Sequence, residues 1–143
     1  MKRLAVLMLA FAALLSCRRA EEVPFVELHH YFFNQGREIP ADPKIDSAEE
    51  FAELFGMAAV MGVDGQPTPV DFEKEFVIAV VYPVTDILTE LAPESLRLVD
   101  GKLVFAYSET VGEKQTWSMQ PVLLVKADRQ FAPYPVELQK ITQ

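Results

Sequence analysis

Two histidines stand side by side, His29 and His30, and the chain has no others. Imidazole can serve as a general base, a proton shuttle or a metal ligand near neutral pH. Their spacing works against a shared ion. On a strand, neighbouring side chains point to opposite faces, so adjacent rings cannot chelate one metal without carboxylates from elsewhere. A hydrolase or metal site using His29 or His30 is therefore carried only as an alternative. The competing assignment makes His30 a hydrogen-bonded core residue and His29 a surface residue. Glu49, Glu50 and Glu53 are the other titratable cluster. Glu49 and Glu53 lie four apart on a helix, share a side and repel mildly. Acid-base work would need burial to separate their pKa values, and the pattern reads as capping and solubility. The sequence has no G-x-S-x-G elbow, no H-E-x-x-H and no glycine-rich phosphate loop. No catalytic residue, metal ligand or cofactor is assigned, and the chain is expected not to be an enzyme.

Cys17, the single cysteine, has a more specific context. Met1-Lys2-Arg3 is a short positive segment, and an uncharged apolar run follows from Leu4 to Leu15. About 12 residues at about 1.5 Å each reach about 18 Å, well short of a bilayer core of about 30 Å. The run fits the apolar region of a signal peptide. It ends in Leu14-Leu15-Ser16-Cys17, which resembles the lipobox of bacterial lipoprotein precursors. In that pattern a small residue lets a peptidase approach the backbone before the cysteine. The thiol then accepts a thioether-linked diacylglycerol. Acyl chains contribute about 0.8 kcal/mol per buried methylene, enough in combination to hold a soluble domain at a membrane. The resemblance implies cleavage before Cys17, lipidation of Cys17 and attachment to the cell envelope. In enteric bacteria an Asp after the cysteine favours inner-membrane retention. Arg18 stands there, so the outer membrane is expected.

The segments follow: 1–16 signal peptide, 17–24 lipid-anchored tether, 25–143 a single β-rich domain. Losing Lys2 and Arg3 takes two positive charges from a total of −8 and leaves −10. Such an acidic domain is a poor nucleic-acid binder, because phosphates would be repelled. It is equally unsuited to holding an anionic membrane by charge. With Cys17 acylated there is no disulfide, no thiol nucleophile and no cysteine-metal cluster, so stability must come from the core.

The candidate binding residues are Phe131 and Tyr134, set among prolines in Phe131-Ala132-Pro133-Tyr134-Pro135. Proline lowers the entropy lost on docking, and aromatic rings provide anchors. The alternative is that both rings plug the end of the sheet. Trp117 reads as core.

The elements that must position these residues are mostly strands. Phe25 to Phe33 alternates, with Val26, Leu28, His30 and Phe32 as the expected buried face. Asp46 to Phe55 reads as the one clear helix, capped by Asp46 with Glu49 completing the pair and Gly56 as its stop. Glu75 to Tyr82 is apolar on both faces, the pattern of a central strand covered on both sides. Asp86 to Leu91 is a further strand. Asp100-Gly101 predicts a type I′ hairpin, setting Val99 against Lys102, Leu98 against Leu103 and Leu96 against Phe105. Ser108 to Lys114 reads as a polar connection. Gln115 to Lys126 reads as a strand with Trp117 and Met119 inward, and Val136 to Ile141 as the last strand. The expected fold is mainly β, of α+β type: an antiparallel sheet forming a small sandwich or partial barrel, with one helix packed on it.

From Ser47 onward the layout resembles the C-terminal domain of lipoprotein subunits that stabilise secreted bacterial protease complexes. The residues carrying this are the helix Glu50-Phe51-Ala52-Glu53-Leu54-Phe55 and the lead-in Asp71-Phe72-Glu73-Lys74-Glu75 into Phe76-Val77-Ile78-Ala79-Val80. Hairpins and a proline-containing final strand complete the layout. Such domains carry a Gly-Gly-Tyr turn after the central strand, where this chain has Tyr82-Pro83-Val84-Thr85-Asp86-Ile87. The resemblance implies a non-catalytic module binding or stabilising another exported protein, a protease among the candidates. The alternatives are a carrier of small apolar ligands in the envelope and the histidine site above.

Overall fold

Five consecutive buried residues, Phe76 to Val80, define the centre of the molecule. They lie in β6 (Glu75–Val81), in the computed structural model that describes residues 20–142. β6 pairs antiparallel with β9 (Val122–Asp128), Ile78 opposite Val125. The outer positions of this sheet are β2 (Phe25–Leu28) beside β9 and β4 (Lys44–Ile45) beside β6. Because side chains alternate, Phe76, Ile78 and Val80 enter one core while Val77 and Ala79 enter another. Both faces are covered, as the unbroken apolar run predicts.

The first face meets a second sheet, ordered β1 (Glu21–Glu22), β7 (Thr85–Val99), β8 (Lys102–Met119) and β10 (Val136–Thr142). Leu96, Leu103, Phe105 and Tyr107 from this sheet interlock with Phe76, Ile78, Leu123 and Val125. Asp100 (φ 49°) and Gly101 (φ 77°) take the two left-handed positions of the hairpin turn, and the expected register holds at all three pairs. β10 runs parallel to β8, an exception in a mainly antiparallel fold. The second face meets helix α1 (Ala48–Leu54) and a two-stranded ribbon of β3 (Tyr31–Phe33) and β5 (Phe55–Met57). The architecture is an open sandwich of two sheets with a helical third layer, and among the described residues no barrel closes.

Several local expectations are corrected. The strand from Phe25 to Phe33 breaks at His30, whose φ of 66° is left-handed. Histidine tolerates that region better than most residues. The turn moves the chain from β9 to β5 and resets the alternation. Leu28 and Phe33 are buried, and Val26 and Phe32 are exposed. The helix is capped by Ser47, not Asp46: the Ser47 hydroxyl accepts the Glu50 N–H at 3.2 Å. Gly56 is no left-handed stop; Phe55 is already extended and leads straight into β5. Glycine there leaves room for the Phe32 ring, which lies over its Cα and would have to move for any Cβ.

Ser108 to Lys114 is strand, paired with β7 at Ala92↔Ser108, Thr89↔Val111 and Ile87↔Lys114. Its polarity reflects an arm that runs past the core into solvent. Trp117 is therefore 51 % exposed instead of inward, and Pro121 lies between β8 and β9. At the N-terminal end, Glu21 and Glu22 pair with Leu98 and Arg97, and Val23 is buried. The folded domain thus begins inside the segment expected to be tether.

Candidate functional site

Helix α1 turns Phe51 into the core, Phe55 at the start of β5 joins it there, and Ala48 and Ala52 stay at the exposed side of the helix. Opposite them runs the segment 66–72. Between the two lies a groove of about 530 Å³ lined by 11 residues, none of them charged. Phe51 is its aromatic centre, with ring centroids 5.1 Å from Tyr31, 5.3 Å from Phe55 and 5.6 Å from Phe72. Such edge-to-face and tilted contacts fix ring orientation as well as burying area. Ala48 and Ala52 keep the helix wall low, and Val70, Pro67 and Pro69 form the other side.

The segment opposite the helix is tied down at several points. Tyr31 donates its phenol hydrogen to Thr68 O at 2.6 Å, and burial pushes that phenol's pKa up. Lys126 Nζ donates to Pro69 O at 2.8 Å and pairs with Glu75 at 3.1 Å. Glu75 also accepts the Asp71 N–H. Arg129 Nη1 donates to Asp46 O and Phe72 O, bridging the approach to the helix and the far wall. The groove is thus largely pre-formed.

The histidines take part in this scaffold. Thr68 N–H donates to His29 O, and His29 N–H donates to the Thr68 hydroxyl at 3.0 Å. His30 Nε2 lies 2.7 Å from Asp64 O, so that nitrogen carries the hydrogen. The two rings are 6.5 Å apart between centroids. Among the described residues, no group of three or more His, Cys, Asp or Glu is arranged to hold a metal.

Beside the groove the chain from Met57 to Val63 forms an apolar crest. Met57 belongs to both features. Met57 and Val60 are largely exposed, and Met61 and Val63 are fully so. Large apolar side chains grouped on a surface mark interaction sites more often than scattered ones do.

Phe131 and Tyr134 lie elsewhere. Both are half-buried and pack on the core between the two sheets. Lys44 Nζ donates to Ala132 O and Tyr134 O, clipping their loop to β4. Phe131 also borders a more polar cleft with Phe25 and Val26. The groove, by contrast, opens on the opposite face of the central sheet. Cys17 lies outside the described residues.

A polar cluster closes another part of the sandwich. Tyr82 donates to Glu109 at 2.8 Å, its oxygen lies 3.3 Å from that of Tyr107, and Lys140 pairs with Glu109 at 3.3 Å. Burial, then the hydrogen bonds to Tyr107 and Glu109, push the Tyr82 phenol up.

In the sequence, Phe51 and Phe55 recur at helical spacing, and the apolar stretch from Met57 to Met61 has no period that separates helix from strand. The groove itself was missed. Its one linear signal is the run Met57-Ala-Ala-Val-Met-Gly-Val63, apolar yet bounded by turn residues. No protein-family profile matches this chain, and neither a curated protein nor a solved structure matches it.

Proposed function

We propose that this protein is a lipid-anchored lipoprotein of the bacterial envelope whose β-rich domain binds another exported protein through the groove beside α1. The observation that carries the binding site is the uncharged, aromatic-centred groove continuous through Met57 with an exposed apolar crest. Exposed apolar area of this kind, on an otherwise acidic chain, gains most from being covered by a partner. The lipobox ending in Cys17 supports the anchor, and Arg18 supports the outer membrane. The likeness to protease-stabilising lipoprotein subunits makes an exported protease one partner to try first.

Two experiments test the two halves. Replacing Cys17 with Ala should abolish labelling by radioactive palmitate; unchanged labelling rejects the anchor. A photo-crosslinking residue at Ala52, expressed in the native envelope, should give a discrete adduct with a protein. The same probe at Trp117, on the exposed arm, should not.

A second reading has its own support. About 530 Å³ falls within the range of small-ligand sites. A carrier of small apolar molecules would release a defined compound on organic extraction of the purified protein, and Ala52 crosslinks would then go to that compound.

A further inference from the structure

The groove has no charge inside it, but its border does. Ala48 and Ala52 line the helix side, and the exposed Glu49 and Glu53 each follow one of them, about 100° further round the helix. On the other side, Asp64 lines an adjoining cleft that shares Gln66, Pro67 and Pro69 with the groove, and Asp71 follows Val70 in the chain. The described residues contain three ion pairs, and none of these four acids is in one. Two cations approach the border. Lys126 is neutralised by Glu75, and Arg129 is held on carbonyls at the Asp46 and Phe72 end. The rim is therefore net negative.

Glu53 is the telling residue. It lies in the last turn of α1, where the helix dipole disfavours an acid, and no basic residue accompanies it there. Glu49, four residues before it, adds like-charge repulsion. Asn34 caps the last turn, its Nδ2 donating to Glu53 O at 2.9 Å, but it brings no positive charge to the Glu49 and Glu53 carboxylates. A cation delivered from outside would relieve both.

We infer that the segment docking in this groove is an apolar anchor flanked by lysine or arginine, in an extended or helical stretch of an exported protein. The inference rests on the protein-binding reading of the groove. The anchor fills the aromatic-centred cavity, and its flanking cations meet Glu49 and Glu53 on one side and Asp64 and Asp71 on the other. The net charge of the chain, −8, steers such a partner inward from a distance. A second copy of this chain fits poorly, because it would bring an equally acidic surface.

The test uses three synthetic peptides and the intact mature domain. One has a Leu-Phe-Leu centre with two lysines on each side. The second replaces the lysines with glutamates, and the third keeps the lysines around a Gly-Ser-Gly centre. At low salt the first should bind at least about tenfold more tightly than either of the others, and should weaken as salt rises. Ala52→Trp, which fills the groove from an exposed position, should cost the first peptide about tenfold. A double variant, Glu49→Lys with Glu53→Lys, should reverse the preference between the first two. Backbone amide shifts at Ala48, Ala52 and Val70 in the unaltered protein give a readout that needs no variant to fold. Equal binding of the first two peptides overturns the inference even if Ala52 crosslinks to an envelope protein, so the charge claim and the docking claim fail separately. Binding only to vesicles of anionic phospholipid, or only to a second copy of the chain, overturns it as well.

Discussion

Lys126 Nζ donates to Pro69 O at 2.8 Å, and through that bond a strand of the central sheet holds the far wall of the groove. The ammonium is also paired with Glu75, and both side chains are largely shielded. Lys126→Met keeps the aliphatic stem and removes the charge. It should lower stability by about 1–2 kcal/mol in urea unfolding. Its larger effect should be on the wall, with faster amide exchange from Pro67 to Phe72 than in the rest of the chain. Uniform acceleration across the domain would mean the bond serves the fold and not the groove.

The helix that forms the near wall depends on its cap. Ser47→Ala should cost about 1 kcal/mol, because the Glu50 N–H loses its acceptor. Asp46→Ala should cost much less, since the structure uses its carbonyl, held by Arg129, and not its carboxylate. Urea midpoints of the two variants side by side decide which residue caps α1. A larger loss for Asp46→Ala would reverse the assignment.

Trp117 is the one tryptophan, and it is half out in solvent on the arm of β7 and β8. Its native emission should be red-shifted and readily quenched by acrylamide. Unfolding should change that emission little. Strong blue-shifted native emission, protected from quencher, is the outcome that contradicts the exposed arm.

The cluster of Tyr82, Glu109 and Lys140 makes stability depend on pH at both ends. The Tyr82 hydrogen bond is the main influence holding the Glu109 carboxyl below its ordinary range; burial opposes it and Lys140 adds to it. That contribution is present above the unfolded carboxyl value of about 4.3 and is lost as pH falls through the lower folded value. Tyr82 is shifted upward, so above about pH 10 the unfolded phenol ionises while the folded one does not. Stability therefore falls there as pH rises. Tyr82→Phe should lower the urea midpoint at pH 7, and the deficit should shrink at both extremes. A deficit constant from pH 3 to 11 would show that Tyr82 contributes by packing alone.

How much of this was legible in the sequence depends on how local its cause is. The Asp100-Gly101 hairpin and its register follow from one dipeptide and the apolar pattern beside it. The covered central strand follows from the unbroken apolar run Phe76 to Val81. His30 was not legible, because its left-handed backbone is set by pairing with β5 and by a carbonyl 34 residues away. The arm at Ser108 to Lys114 misled for a related reason: polar residues on a two-stranded ribbon in solvent look like a connection. The groove joins α1, β3, β5 and the segment 66–72, and no single stretch encodes it. Phe131 and Tyr134 show the converse. Their place beside prolines is conspicuous in one dimension, and in three both rings rest half-buried on the core while Lys44 holds their loop to β4.

The ribbon running from Glu75 to Asp128 has a consequence for assembly. It is one hairpin folded back at Asp100-Gly101, its inner ends in the central sheet and its tip in the outer one. Zipping from the tip closes only a small extra loop at each pair, so the entropy of joining Glu75 to Asp128 accrues in steps. The N-terminal strands have no such route. Phe25 to Leu28 can pair only once Leu124 to Ala127 exist as a strand, and Glu21 and Glu22 wait for Arg97 and Leu98. In synthesis from the N-terminus, these strands are made earliest and must wait for the ribbon before they dock. Until the ribbon arrives, the N-terminal strands keep unpaired edges that any chaperone or protease can reach.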